Sequence, residues 1–191
     1  MKDKISKILT EYTDLAGSLE TCISKQIEPL SLSIIECLER GNKVMLAGNG
    51  GSAAEATHIA AEFTGRFKLE RPGWAAISLS TDTSAITAIS NDYSFEDIFS
   101  RQIEALGQKG DVLIALSTSG NSTNILKAVT QASSMGIKTI ALTGGTGGGL
   151  KGRCNQEIFV PSNNTPRIQE VHLLVLHTVC ELVEASMVSS N

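Results

Sequence analysis

Short apolar runs, spaced by stretches of helical length, constrain this chain more than any other feature. Runs at 44–47, 75–79, 112–116 and 139–142 read as strands, with a fifth at 157–160, and helical stretches at 52–64, 95–106 and 121–135 fall between most of them. A strand that is apolar at every position has no face to turn to water. The alternation therefore predicts an α/β domain of three layers, a five-stranded, mostly parallel sheet with helices on both faces. Upstream the period changes. Ile5, Ile8, Leu9, Tyr12, Leu15 and Leu19, then Ile34, Ile35 and Leu38, recur at helical spacing. Pro29 is expected to mark a break or a helix start between the two groups. The expected organisation is a helical extension over 1–40 and one α/β domain over 41–191. Its last stretch, 166–186, reads as a single long helix with Thr165 as N-cap and Pro166 in the first position. That helix is apolar nearly all round, which predicts burial, in part between subunits.

Composition bears on partners and compartment. Of 191 residues 41% are apolar and 19% charged, which excludes a disordered or collagenous chain. The net charge of −4 offers no cationic surface, so no nucleic-acid partner is expected. Uninterrupted apolar runs stay far below the roughly 20 residues that span a bilayer. Cys22, Cys37, Cys154 and Cys180 are scattered, without a Cys-x-x-Cys pair, and read as reduced thiols. A cytoplasmic protein with no membrane partner is expected.

Two junctions carry the functional signal. The first reads Gly48-Asn49-Gly50-Gly51-Ser52 and the second Ser117-Thr118-Ser119-Gly120-Asn121-Ser122; Gly50 aligns with Gly120 and Ser52 with Ser122. Each leaves a strand and opens a helix, where open α/β sheets bind ligands. Small residues turn backbone amides outward, and the helix start attracts an anion. Neither loop holds a basic residue, so the expected ligand is a phosphate held by neutral donors. Each loop taken singly is equally an ordinary steric turn. Gly48-x-Gly50-x-x-Ala53 also fits a loose dinucleotide fingerprint, but the acid that motif needs about 20 positions later is missing, since Asp82 comes too late. No Lys-Ser or Lys-Thr follows to make a Walker loop.

His58 and Glu62 stand one turn apart on the helix opened by the first loop. Gln169 and His177 lie two turns apart on the final helix. His, Glu and His are good zinc donors, and a Gln oxygen can complete a set of four. Spacing alone also allows a surface pair at His58–Glu62 and core histidines, bonded to a backbone carbonyl, at His172 and His177. Asn91-Asp92 either serves sugar hydroxyls or caps a turn. Arg66 either reaches the phosphate or rides on the surface. The run 143–149, Thr-Gly-Gly-Thr-Gly-Gly-Gly, reads as a flexible turn.

Taken in order, these motifs resemble the phosphoheptose isomerases of the sugar isomerase (SIS) family, over about residues 35–185. The likeness rests on 48–52, on His58-x-x-x-Glu62 within 53–66, on Asn91-Asp92-Tyr93, on 117–122, and on Arg167-Ile168-Gln169-Glu170 with His177. It implies a cytoplasmic homotetramer with one zinc per subunit. Such an enzyme interconverts sedoheptulose 7-phosphate and D-glycero-D-manno-heptose 7-phosphate, the first step toward nucleotide-activated heptose for bacterial lipopolysaccharide. Carried over by position, the zinc ligands are His58, Glu62, Gln169 and His177, and the acid/base pair is Glu62 with His177. Substrate contacts fall to Asn49, Gly50, Gly51, Asn91, Asp92, Ser117, Thr118, Ser119, Ser122, Glu62 and Gln169; Ser52 and Arg66 are further candidates. The chain also resembles a non-catalytic SIS-fold regulator that associates with a bacterial replication initiator, notably around residues 80–92. A regulator has no need of an imidazole at His177 beside Glu62.

Overall fold

The computed structural model describes residues 1–189. Its sheet comprises β1 (Val44–Gly48), β2 (Ala76–Ser78), β3 (Val112–Ser117), β4 (Lys138–Gly144) and β5 (Gln156–Val160), in the order β2-β1-β3-β4-β5. Every pairing is parallel. The helices are α1 (Lys2–Cys22), α2 (Ser24–Glu39), α3 (Gly51–Thr64), α4 (Thr83–Asp92), α5 (Ile98–Leu106), α6 (Thr123–Ser134) and α7 (Thr165–Ser189). The three-layer α/β architecture is the expected one.

Burial on both faces follows from the strand alternation. Val44, Leu46, Val112, Ile114, Leu116, Ile140 and Leu142 join a core built with α1, α2, α3 and α7. Met45, Ala47, Leu113, Ala115 and Ala141 point the other way, onto α5 and α6. All these strand residues are 1% exposed or less.

Three expectations need correction. Pro29 lies inside α2, and the helices break at Ile23, whose buried side chain anchors the corner (φ −129°). At the sixth position of its helix, Pro29 forfeits one backbone hydrogen bond and stops nothing. Thr165 is the first residue of α7 rather than its cap, and Leu174 and Leu182 on that helix are 46% and 43% exposed. By length and composition alone α7 could cross a membrane; here its stripe from Ile168 to Val183 is core. Finally, 83–92 carries no expected element, yet α4 forms there. Ile86 and Ile89 pack on the core at helical spacing, but Thr83, Ile86, Thr87 and Ile89 are β-branched and favour a helix weakly. Asp82 is the legible start signal, its carboxylate accepting from the Ala85 N–H at 2.9 Å.

Strand order positions the site. The chain leaves β1 toward β2 on one side and reaches β3 on the other. The loops after β1 and β3 therefore flank the crevice where the order reverses, the usual ligand site of an open parallel sheet.

Candidate functional site

Both junctions turn on a glycine in the left-handed region, Gly50 at φ +57° and Gly120 at φ +67°, a conformation that costs other residues dearly. α3 begins directly after Gly50 and α6 after Ser122, and neither start is capped by a side chain. The loops are tied together by reciprocal amides: Asn49 Nδ2 donates to Asn124 Oδ1, and Asn124 Nδ2 to Asn49 Oδ1, both at 2.9 Å. Asn124 carried no sequence signal of its own. In the second loop Ser117 and Ser122 hydroxyls lie 3.1 Å apart, while Ser119 is exposed and accepts from the Asn121 N–H. Ser52 is buried on the first turn of α3.

The run 143–149 is no flexible turn. Gly144 N–H donates to the Thr118 carbonyl, Leu150 N–H to the Gly120 carbonyl, and Gly149 N–H to Asn121 Oδ1. A Cβ on Gly120 would collide with the Gly147 carbonyl, so backbone packs on backbone. With Asn163 and Thr165, Gly145 and Thr146 of this brace line a cleft of about 220 Å³ that reaches Thr118 and Ser119.

α3 and α7 bring three donors together. His58 Nε2 is 2.9 Å from Glu62 Oε1 and 3.3 Å from His177 Nε2, and all three donor atoms lie within 4.8 Å of one another. His58 and Glu62 are thus no isolated surface pair, and His177 is only half-buried. Burial, then the adjacent His58 ring, hold the His177 imidazole below the usual histidine range, with Glu62 pulling the other way. Two imidazole nitrogens and a carboxylate oxygen at this spacing suit a divalent ion of zinc's preferences. Gln169 sits against the first loop: a Cβ on Gly51 would run into its side-chain amide. The glycine there admits Gln169, a constraint invisible in the sequence.

Other predicted residues make their bonds elsewhere. Arg66 is exposed, its Nε 3.7 Å from Glu70. Asn91 donates to Asp92 (2.9 Å) on the exposed last turn of α4. His172 is fully buried, as expected of a core histidine; neither ring nitrogen makes a hydrogen bond of good geometry, and the Thr143 backbone is the group that opposes burial there. The His172 Nδ1 stands 4.0 Å from Glu55 Oε2, which is also unpartnered. Burial drives the two apart in opposite senses, Glu55 up to about 7 and His172 down to about 4.

Known proteins resemble this chain in sequence and fold. A family model for the SIS domain matches residues 9–144. A phosphoheptose isomerase of Helicobacter pylori (strain P12) is 55% identical over 190 residues, 99% of this chain and 98% of the relative. The chain belongs to the phosphoheptose isomerase family. As a member it is a sugar-phosphate isomerase. Solved phosphoheptose isomerases agree with it in fold: that of Francisella tularensis superposes with a TM-score of 0.93 at 38% identity, over 96% of this chain and 97% of that one. That of Neisseria gonorrhoeae gives 0.89 at 39%, over 96% and 98%.

Proposed function

We propose that the chain interconverts sedoheptulose 7-phosphate and D-glycero-D-manno-heptose 7-phosphate, with one zinc held by His58, Glu62, Gln169 and His177. The convergence of His58, Glu62 and His177 from α3 and α7, with α3 opening from the first glycine loop, carries this reading. Zinc supplies a Lewis acid that polarises the substrate carbonyl and stabilises negative charge on its oxygen.

Ser117, Thr118, Ser119 and Ser122, with Asn49, Gly50, Gly51 and Ser52 across the crevice, fix the phosphate and sugar chain; Asn91, Asp92 and Arg66 are assigned to the sugar's outer hydroxyls and phosphate. Anchoring that remote group turns binding energy into alignment of C1 and C2. Glu62 removes a proton from C1 of the ketose as the C2 carbonyl becomes an enediol. The same proton returns to C2, while His177 carries the hydroxyl proton from O1 to O2. Burial holds the His177 imidazole below the usual histidine range, which favours the neutral form. With zinc bound, Glu62 would serve both to hold the ion and to act as the base.

We place the reaction in the cytoplasm, as the first step toward nucleotide-activated heptose for lipopolysaccharide. Exposed Ile5, Ile8, Leu9 and Tyr12 on α1, with Leu174 and Leu182 on α7, support assembly as a homotetramer. The alternative, a non-catalytic regulator of a replication initiator, gives no use to a His–Glu–His cluster. Incubating purified protein with zinc and sedoheptulose 7-phosphate decides between them: aldose formation is expected, and its absence from zinc-loaded protein overturns the enzyme.

A further inference from the structure

The segment that follows α3 is tied down by a buried ion pair that no step above uses. Arg71 and Glu184 side chains are 3% and 2% exposed, with Arg71 Nε donating to Glu184 Oε1 at 3.0 Å. Glu184 Oε1 also accepts from the Phe67 N–H (3.1 Å), and Oε2 from the N–H groups of Lys68 (2.7 Å) and Leu69 (2.8 Å). Burial pushes the Glu184 carboxyl up, but those backbone donors and Arg71 outweigh it and hold the group below the usual range. The guanidinium is spent just as fully. It donates to the carbonyls of Glu62 (2.7 Å), Phe63, Gly65 and Pro72 and lies 3.6 Å over the Trp74 ring. One ion pair thus grips the end of α3, at Glu62 itself, and α7 two turns beyond His177.

What this knot presents is Phe67. Its ring stacks on the His177 imidazole, centroids 5.5 Å apart and planes inclined by 29°. His58 meets the same imidazole edge-on at 5.0 Å. A half-buried imidazole on a helix is otherwise free to turn about its terminal torsion. Building on the isomerase reading, we infer that Phe67, fixed by the Arg71–Glu184 pair, is a positioning residue that sets the His177 ring plane toward His58 and Glu62. Its ring bears on His177 and its N–H on Glu184, so it acts on chemistry and metal retention rather than on substrate affinity.

The test uses the full-length protein, with zinc affinity read by chelator competition and turnover read on sedoheptulose 7-phosphate. Phe67→Ala should weaken zinc binding and lower kcat by about 10-fold each, the scale of a lost supporting contact, with KM unchanged. Phe67→Tyr, which keeps the stacking face, should restore both. Glu184→Gln sets an amide N–H₂ against the backbone donors and should lower zinc affinity and melting temperature together; if it fails to fold, the Phe67 pair decides alone. Zinc affinity and kcat at wild-type level in Phe67→Ala overturn the positioning role, as does a rise in KM at unchanged kcat. A wild type that neither binds zinc nor turns over overturns the isomerase reading instead, so the two failures are distinguishable.

Discussion

The two junctions look alike as sequence and do different work. Both pivot on a left-handed glycine, 70 residues apart, yet their helices are out of step with that match by one residue. α3 buries Ala56, Ile59, Ala60 and Phe63, and α6 buries Ile125, Ala128, Val129 and Ala132. Aligned on those stripes, His58 and Glu62 correspond to Lys127 and Gln131, and Glu55 corresponds to Asn124. The first helix turns donor atoms toward α7. The second turns Lys127 toward Asp97, at 2.8 Å on the outer surface. Loop geometry is repeated while helix chemistry is not: the helix after the first loop carries side chains of the donor cluster and the helix after the second does not.

The hardest test of that difference removes a member of the cluster. His177→Ala should lower kcat by about 10³-fold, within the range of lost general acid–base catalysis, while a thermal melt stays near wild type because the ring is half-exposed. Lys127→Ala, at the counterpart of His58, should leave kcat at the wild-type level. Equal losses in the two variants, read from steady-state kinetics, would erase the distinction. Next come the pivots. Gly120→Ala forces a β-carbon into the Gly147 carbonyl and should cost about 3 kcal/mol, strain and collision together. Gly50→Ala meets open space and bears backbone strain alone, at φ +57° and ψ −120°, and should cost about 2 kcal/mol. Urea denaturation measures both, and equal costs would mean that the 144–149 brace adds nothing.

The layer order, both glycine loops and the donor residues are legible because each leaves a local mark: apolar runs, glycine punctuation, one-turn spacing. What stayed hidden depends on contacts distant in sequence. Only the fold reveals that Gly51 is small to admit Gln169, or that 143–149 is rigid because Gly120 presses on Gly147. Asn124 reads as one more polar residue at a helix start until Asn49 is seen opposite it. α4 stays hidden for a different reason: it is ten residues long, and four of them, Thr83, Ile86, Thr87 and Ile89, are β-branched, so local preference masks its helical spacing.

A smaller effect separates the paired positions Glu55 and Asn124. Glu55 binds its proton more tightly folded (about 7) than at its ordinary value of 4.5. Its contribution to stability is therefore complete below pH 4.5 and disappears as pH rises through 7. From pH 5 to 8 the loss amounts to about 2 kcal/mol. His172 works in the opposite sense, losing stability as pH falls from 6.5 toward 4. The informative quantity is the difference between wild type and Glu55→Gln across pH 5–8 by chemical denaturation. It should grow in favour of the variant as pH rises, and a pH-independent difference would show that Glu55 is charged throughout.

Asn124 should behave differently because its amide is satisfied and cannot titrate. It is 3% exposed and exchanges two hydrogen bonds with Asn49. Asn124→Ala leaves the Asn49 amide without either partner, and Asn49→Ala does the same to a group that is more deeply buried. Each single change therefore carries a desolvation penalty that the double change partly removes. A double-mutant cycle on unfolding free energy should give a coupling of about 1 kcal/mol, unchanged between pH 5 and 8. No coupling would mean that the junctions are held together by the sheet alone. Coupling that varied with pH would place the Glu55 carboxylate, rather than the amide pair, at the seam between them.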